Sequence, residues 1–321
     1  MRINRMLGHV ACAAALAAAA GWAGAQDKYP SRPIEFIVPW GPGGGADQLA
    51  RKMARLLEPE LKVSMPVVNV PGATGGTGMT KMLSAPADGY SVSVYIADTH
   101  ALLATSNPRW KPGDFVPLGI MIRQPSALFV KMDSPYKTWA DVVKAAKASP
   151  GKLKVAILGF GSVDDMALKY METRGIKFTG VPYAKPGERY TAILGGHADI
   201  LYEQPGDVRS FLDSRQMRAI LIFNKERVLP EFADIPSSKE VGIEVYLPQF
   251  RSVIVRAGTE PQHLKALAAA VAKMAHDPEF YGFLKESLAL RDSFIPAENA
   301  QKFFDGELAA LQKFAAALKK K

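Results

Sequence analysis

The chain is poor in cysteine, in histidine and in long apolar runs. Its 321 residues include one cysteine, Cys12, and five histidines. The histidines show no metal-ligand spacing, and neither a Gly-Lys-Ser/Thr phosphate loop nor a Gly-x-Ser-x-Gly nucleophile elbow is present. Beyond the N-terminal region no segment approaches the roughly 18 apolar residues of a membrane helix. These absences exclude an internal disulfide and predict a chain without metal or cofactor, stabilised by its cores alone.

The N-terminal segment has the features of a cleavable export signal. Arg2 and Arg5 form a positive head, an alanine-rich apolar run covers residues 6–20, and the small residues at 23–25 fit a cleavage site after Ala25. A retained membrane helix is the alternative, but the run is weakly apolar and has no stop-transfer flank. Cys12 lies inside this signal without a good lipid-attachment box before it, so we expect an exported chain with neither thiol nor lipid.

Basic residues outnumber acidic ones, 40 to 31, which gives a formal charge of +9. They are spread along the sequence and do not form a stripe, and an exported protein meets little nucleic acid. We therefore predict no nucleic-acid partner. A mildly basic surface would instead favour encounter with anionic solutes.

Short apolar segments alternate with amphipathic ones, which is typical of βαβ units. Polar residues and a proline separate two apolar strands at 123–125, which predicts passage from one sheet to another, and the strand at 250–255 predicts a return. We expect an α/β fold with two lobes, each a mostly parallel sheet flanked by helices. Domain 1 would comprise residues 26–124 and 247–321, and domain 2 residues 125–246. Two lobes joined by two crossings describe a clamshell that closes around a small ligand by hinge motion.

Three glycine-rich turns connect strand-like segments to helix-like ones. They are the first glycine turn (residues 41–47), the second glycine turn (residues 71–78) and the third glycine turn (residues 159–165). Glycine lets the backbone approach a ligand closely, and the first amides of the following helices have no partner inside the helix. Such turns at the carboxyl ends of strands would direct these amides into a crevice that suits a carboxylate or a small phosphate. The alternative is ordinary strand-to-helix turns, with Asp47 capping its own helix.

Asp98, Thr99 and His100 follow the strand-like segment at residues 90–96. We expect them to end that strand with polar groups on the same side as the glycine turns. They would either cap neighbouring backbone groups or contact the ligand, and the sequence does not separate these two roles.

An enzymatic function is the less favoured interpretation. Gly159 and Gly161 follow a strand as in a dinucleotide-binding turn, but Asp164 stands where the third glycine is expected and would oppose a pyrophosphate. A hydrolase would need a nucleophile and a base, and the available pairing is Ser162 with Asp164 or Asp165, without a nearby histidine. A secreted enzyme of hydrolytic chemistry therefore stays the alternative.

The order of these motifs closely resembles that of the Bug-type solute receptors of tripartite tricarboxylate transporters. The resemblance lies in Tyr-Pro-Ser-Arg-Pro-Ile at 29–34, the first glycine turn, Asn-Val-Pro-Gly-Ala-Thr-Gly-Gly at 69–76, Ala-Asp-Gly-Tyr at 87–90, Val-Pro-Tyr at 181–183, Leu-Gly-Gly-His-Ala-Asp at 194–199 and Ala-Gly-Thr at 257–259. Any single motif is weak, but their joint order behind an export signal is specific and covers essentially the whole mature chain.

The resemblance implies a periplasmic receptor that captures a carboxylated solute between two α/β domains and delivers it to membrane transporter subunits. We expect a di- or tricarboxylate, no cofactor and a monomer, with a sensor for a membrane signalling partner as a further alternative. The expected ligand contacts are Gly43, Gly44, Gly45, Ala46, Asp47, Gly72, Ala73, Thr74, Gly75, Thr99, Gly161, Ser162, Asp164, Tyr183, Arg189, Gln204 and Arg251. Asp47 would repel an anion, so we expect it to order the first glycine turn.

The sequence departs from the family pattern in several charged residues, most of them in the predicted second domain. Asp165 stands where a histidine is common, Lys185, Glu188 and Arg189 replace small residues, and Arg251 replaces an apolar or aromatic one. Charges in one cleft are costly if they are dry and unpaired. They would therefore either pair with one another at its rim, or provide Arg251 or Arg189 as a bidentate anchor for a distal carboxylate.

Overall fold

The computed structural model describes residues 29–247 and 249–319. The predicted export signal, with Cys12 and the cleavage site after Ala25, lies outside these ranges. Within them, no helix has both the length and the apolar composition needed to cross a membrane.

Strands and helices alternate along most of the described chain. The strands are β1 (Glu35–Val38), β2 (Val67–Asn69), β3 (Ser91–Ile96), β4 (Phe115–Gln124), β5 (Ala127–Lys131), β6 (Lys154–Ile157), β7 (Thr179–Pro182), β8 (Ile200–Glu203), β9 (Met217–Ile222), β10 (Gln249–Arg256) and β11 (Ile295–Pro296). The α-helices are α1 (Gly45–Leu61), α2 (Gly76–Ser84), α3 (Ala97–Thr105), α4 (Trp139–Ala148), α5 (Val163–Glu172), α6 (Pro186–Leu194), α7 (Arg209–Asp213), α8 (Pro261–Ala275), α9 (Pro278–Glu286) and α10 (Ala297–Lys319). Short 3-10 helices cover Ala73–Gly75, Pro112–Asp114, Pro205–Val208 and Pro230–Phe232.

Two separate sheets form the centres of two lobes. The sheet of the first lobe has the strand order β11-β4-β10-β3-β1-β2, and that of the second lobe has the order β7-β6-β8-β5-β9. The chain leaves the first sheet at the end of β4 and enters the second at β5, with Pro125 and Ser126 between them. Proline has no amide hydrogen to donate, so the hydrogen-bonded ladder is interrupted at this point. The chain returns to the first sheet at β10, and the predicted two-lobed α/β architecture is confirmed.

Each sheet is mixed, which differs from the expected mostly parallel arrangement. β1 lies parallel to β2 and β3, and β6 lies parallel to β7 and β8. In contrast, β10 runs antiparallel to β3 and β4, and β5 runs antiparallel to β8 and β9. The reason is the direction of the crossings. β5 and β10 each start at the boundary between the lobes, whereas β1, β2 and β6 end there.

Helix α3 begins immediately after β3 and contains Asp98, Thr99 and His100, which were expected to end the strand. His100 is a core residue, because its ring nitrogens lie 3.2 Å from the Tyr95 hydroxyl and 3.0 Å from the Phe304 carbonyl oxygen. Burial lowers the pKa of His100 to about 4. The residue is therefore neutral at physiological pH.

The C-terminal helix α10 contacts both lobes. Phe304 packs against Tyr95 and His100 of the first lobe, with ring centroids 5.4 and 5.2 Å away. Ten residues later, Phe314 stacks on Tyr170 of α5 in the second lobe at 5.6 Å. Helix α10 therefore extends across the boundary between the lobes.

Candidate functional site

The first glycine turn is ordered by the carboxylate of Asp47. Asp47 Oδ2 accepts hydrogen bonds from the Gly43 amide at 3.0 Å and from Arg51 Nε at 2.9 Å, and its Oδ1 accepts one from Asn69 Nδ2 at 3.0 Å. Burial alone would raise the pKa of Asp47, but these hydrogen bonds lower it below its ordinary value. The carboxylate is thus engaged with the protein itself, and α1 begins two residues beyond the amide that it holds.

The second glycine turn is strained and closely packed. Ala73 and Thr74 have positive φ angles of 49° and 53°, a conformation that is costly for a β-branched residue. Gly75 has a φ of +88°, and a β-carbon there would lie 2.4 Å from Thr99 Oγ1, so only glycine fits. Thr99 Oγ1 donates to the Thr74 carbonyl oxygen at 3.3 Å. Thr99 therefore stabilises the second glycine turn by this hydrogen bond and by packing against Gly75.

The amides of the second glycine turn are largely used within the turn. The Gly75 and Thr77 amides donate to the Gly72 carbonyl oxygen at 3.0 and 3.4 Å, and the Gly76 amide donates to the Ala73 carbonyl oxygen. This turn therefore offers a ligand fewer free amides than the sequence pattern predicts. Side chains must supply more of the attraction for an anion at this position.

The third glycine turn repeats the construction of the first in the other lobe. The Gly161 amide donates to Asp165 Oδ2 at 2.8 Å, and Lys169 Nζ lies 2.7 Å from the same oxygen. The spacing Gly-x3-Asp-x3-cation is the one that also connects residues 43, 47 and 51. Ser162 caps α5, because its hydroxyl accepts from the Asp165 amide at 3.2 Å. This spacing was a readable signal in the sequence that the motif analysis missed.

The glycine turns of the two lobes face each other and are in contact. Thr74 Oγ1 donates to the Phe160 carbonyl oxygen at 3.2 Å, and Thr105 Oγ1 donates to the Gly161 carbonyl oxygen at 2.8 Å. A β-carbon on Gly44 would lie 2.4 Å from Pro186 Cγ, across the boundary. The lobes are closed on each other.

The two arginines that were expected to anchor a distal carboxylate are already paired. Arg189 is 2% exposed and forms an ion pair with Glu203, which also accepts from the Tyr190 hydroxyl at 2.9 Å. Arg251 is 5% exposed and forms an ion pair with Asp207. Of the charged residues that depart from the family pattern, Lys185 and Glu188 pair with each other as expected, with Lys185 Nζ 3.0 Å from Glu188 Oε1.

Buried charges are concentrated at the lobe boundary in what we term the buried charge cluster. It comprises Asp98, Asp164, Arg189, Glu203, Asp207 and Arg251. Burial raises the pKa of Asp98 to about 6, and burial together with the nearby charge of Asp98 raises that of Asp164 well above its ordinary value. The raised pKa values mean that this environment disfavours the ionised forms of Asp98 and Asp164, so a further negative charge beside them would be unfavourable.

Some atoms of this cluster lack partners. Among the described residues, Arg189 Nε, Arg189 Nη1 and Asp164 Oδ1 are buried without a hydrogen-bond partner. Unpaired buried polar atoms are costly, so a polar ligand group that reached them would gain strongly. Arg189 and Asp164 therefore stay predicted ligand contacts.

A cavity of about 840 Å³ lies between the lobes. The first lobe contributes Ala73, Thr74, Gly76, Thr77, Thr80, Leu102, Ser106, Asn107, Pro108, Arg109 and Trp110, and the second lobe contributes Leu158, Gly159, Phe160, Pro182 and Ala184. The cavity thus opens at the carboxyl ends of β2, β6 and β7, where α/β folds usually bind ligands. Its volume falls within the range of about 300–1,000 Å³ that is common for ligand sites.

The predicted site residues meet at the boundary in different roles. Of them, Ala73 and Thr74 line the cavity. Gly45 packs against the pair of Arg251 and Asp207, and Gln204 Oε1 accepts from Arg251 Nη2 at 3.3 Å. Tyr183 packs against the core of the second lobe. The contacts predicted for the ligand itself stay predictions. The residues that sequence reasoning missed are the cavity residues Leu102, Arg109, Trp110 and Phe160.

Two α/β lobes with two crossings, closed on a cavity that glycine turns border, define a solute-binding receptor of the periplasmic binding protein class. The Ser162 hydroxyl is buried and caps a helix, so it has no role as a nucleophile. The structure contains no group of three or more potential metal ligands within residues 29–247 and 249–319.

The chain belongs to the tripartite tricarboxylate transporter family of receptors, because the TctC model of that family matches residues 49–312. The resemblance seen in the motifs is thereby confirmed, and the protein is a receptor and not an enzyme. It is 29% identical to protein BugT of Bordetella pertussis over 245 residues, which cover 74% of each chain.

Solved structures share the fold. MatC from Rhodopseudomonas palustris with bound malate has a TM-score of 0.82 at 23% identity, covering 89% of this chain and 100% of that one. Another R. palustris protein, solved with adipate, has a TM-score of 0.82 at 23% identity, covering 91% and 98%.

Proposed function

We propose that this chain is exported to the periplasm after removal of residues 1–25, captures a small carboxylated solute between its lobes as a monomer, and delivers it to the membrane subunits of a tripartite tricarboxylate-type transporter. The observation that carries the proposal is the cavity of about 840 Å³ between the second and third glycine turns. Its position at the carboxyl ends of strands from both lobes is the expected place for a receptor's ligand.

Two further observations support a carboxylate. The described residues that line the cavity include a cation, Arg109, and no acid. Proteins of the same fold have been solved with malate and with adipate, which are both carboxylates. The contacts between the lobes, such as that of Thr74 with the Phe160 carbonyl oxygen, would enclose the solute and exclude water from it.

Isothermal titration and thermal unfolding with mono-, di- and tricarboxylates test the proposal. Each acid is compared with its uncharged amide as the matched control. At a free solute concentration one hundred times the dissociation constant, binding should raise the receptor's free energy of unfolding by about 2.7 kcal/mol. The solute should be recovered unchanged after incubation. Failure of every acid to raise the melting temperature, or consumption of the solute, would contradict the proposed function.

A further inference from the structure

The two walls of the cavity differ in chemistry. The wall from the second lobe consists of Leu158, Gly159, Phe160, Pro182 and Ala184, none of which carries a polar side chain. The wall from the first lobe carries hydroxyl, amide and guanidinium groups, on Thr74, Thr77, Thr80, Ser106, Asn107 and Arg109. A ligand that fits both walls must be polar on one side and apolar on the other.

Arg109 is the one ionisable side chain on these walls, judged over residues 29–247 and 249–319. It is exposed, and no described acidic group forms an ion pair with it. Arg189 and Arg251 of the buried charge cluster are instead neutralised by Glu203 and Asp207. Among the described residues, the cavity walls therefore carry one unpaired cation, which balances one negative charge on a ligand.

Phe160 provides the apolar counterpart at the mouth of the cavity. Its side chain is 62% exposed, and within the described ranges the other exposed large hydrophobic residue is Tyr281, at 64% on α9. Across the cavity lie Leu102 and Trp110, which are almost fully buried and so have fixed positions. An aromatic ring or a chain of several carbons packed on Phe160 would remove the apolar area of that side chain from water, and Leu102 and Trp110 would give it a fixed apolar surface to pack against.

We propose that the solute is an acid with a single carboxylate and an apolar body, either a ring or a chain of several carbons. The carboxylate pairs with Arg109 beside the second glycine turn, and the body lies between Leu102 and Phe160. This inference rests on the proposed function and narrows its substrate class. It differs from the expectation of a di- or tricarboxylate, because the cavity walls carry one cation, Arg109, and a second carboxylate would find no cation on them to pair with.

The test compares acids that differ by one carboxylate. Benzoate is measured against terephthalate, and hexanoate against adipate, by isothermal titration of the intact mature protein. Benzamide and hexanamide serve as uncharged controls. We expect each monoacid to bind at least tenfold more tightly than its diacid and its amide. Tighter binding of the diacids would overturn the inference and leave the proposed function intact. Binding of none of the acids would contradict both the inference and the proposed function.

Two variants localise the contacts. Arg109→Gln should weaken the binding of benzoate at least tenfold and leave the binding of benzamide unchanged. Its control is Arg174→Gln on the outer surface of the second lobe. Phe160→Ala should weaken benzoate several-fold, and its control is Tyr281→Ala. All four positions are exposed, so the variants should fold, which circular dichroism checks. Unchanged benzoate affinity in Arg109→Gln, or equal losses in Phe160→Ala and Tyr281→Ala, would overturn the inference.

Discussion

At the scale of single residues, the acids at the lobe boundary bind the protein's own groups. Asp47 and Asp165 each hold the amide of a glycine four residues earlier and a cation four residues later. Asp98 lies in the first lobe, but its Oδ1 accepts from the Val163 amide at the start of α5 in the second lobe, at 3.0 Å. These carboxylates stabilise the glycine turns and the closed arrangement of the lobes.

Asp98 makes stability depend on pH. Its Oδ2 accepts from Gln249 Nε2 at 2.7 Å, and the charges of Arg189, Glu203 and Asp164 lie near it. Burial raises its pKa from 3.8 to about 6. The folded state therefore holds this proton more tightly than the unfolded chain. Its contribution to stability is greatest below pH 4, falls as the pH rises to about 6, and is constant above that.

Asp98→Asn should therefore become more stable than the wild type as the pH rises from about 4 to 6. An asparagine can still accept a hydrogen bond from the Val163 amide. At neutral pH the free energy of unfolding of the variant should exceed that of the wild type by roughly 2–3 kcal/mol. Melting temperatures measured between pH 3.5 and 7.5 give this difference, with Asp133→Asn at an exposed position as the control. A difference between variant and wild type that does not change with pH would contradict the role of Asp98.

At the scale of elements, the glycine turns allow the lobes to approach. Gly44 precedes α1 with φ −84° and ψ 171°, angles that alanine adopts readily. Position 44 requires glycine because an added β-carbon would lie 2.4 Å from the Cγ of Pro186 in the opposite lobe. Gly75 differs, since its positive φ and the contact with Thr99 arise within one lobe. The two turns thus need glycine for different reasons.

Gly44→Ala should hinder closure without straining its own lobe. We expect solute affinity to fall at least tenfold, because fewer molecules reach the closed form, while the melting temperature of the free protein changes little. Gly187→Ala is the matched control, since a β-carbon there would meet nothing within 4 Å although the residue adjoins the same contact. Equal affinity in the two variants would show that the contact of Gly44 with Pro186 does not govern closure.

At the scale of the whole molecule, side chains from both lobes hold the clamshell closed. Arg251 belongs to β10 of the first sheet, and Asp207 follows β8 of the second. Gly45 at the start of α1 packs against this ion pair. The pair therefore joins three segments from both lobes and lies between the first glycine turn and the strand that returns from the second lobe.

Arg251→Met should open the solute-free protein. It leaves the Asp207 carboxylate buried and unpaired in the closed form, which costs about 3–5 kcal/mol, and opening relieves that cost by hydrating the carboxylate. Small-angle scattering should show a larger radius of gyration. The double variant Arg251→Met with Asp207→Leu should remain closer to the wild type, because no charge is left unpaired. An unchanged radius in the single variant would mean that other contacts hold the lobes together.

The sequence by itself determined the alternation of strands and helices, the glycine turns, the passage between sheets at Pro125, and the family. These features depend on residues close together in the chain, where spacing and backbone preference suffice. It did not reveal α3, because that helix follows β3 without a glycine or proline between them. Local patterns carry no signal at such a junction.

Only the tertiary structure decided which charges are available to a ligand. Arg251 and Asp207 are 44 residues apart, and Arg189 and Glu203 are 14 apart, so their pairing could not be read from spacing. The cavity likewise joins Arg109 and Trp110 to Phe160 from the opposite lobe. Closure of two lobes sets these distances, and the packing of side chains from distant segments then determines which cation remains free.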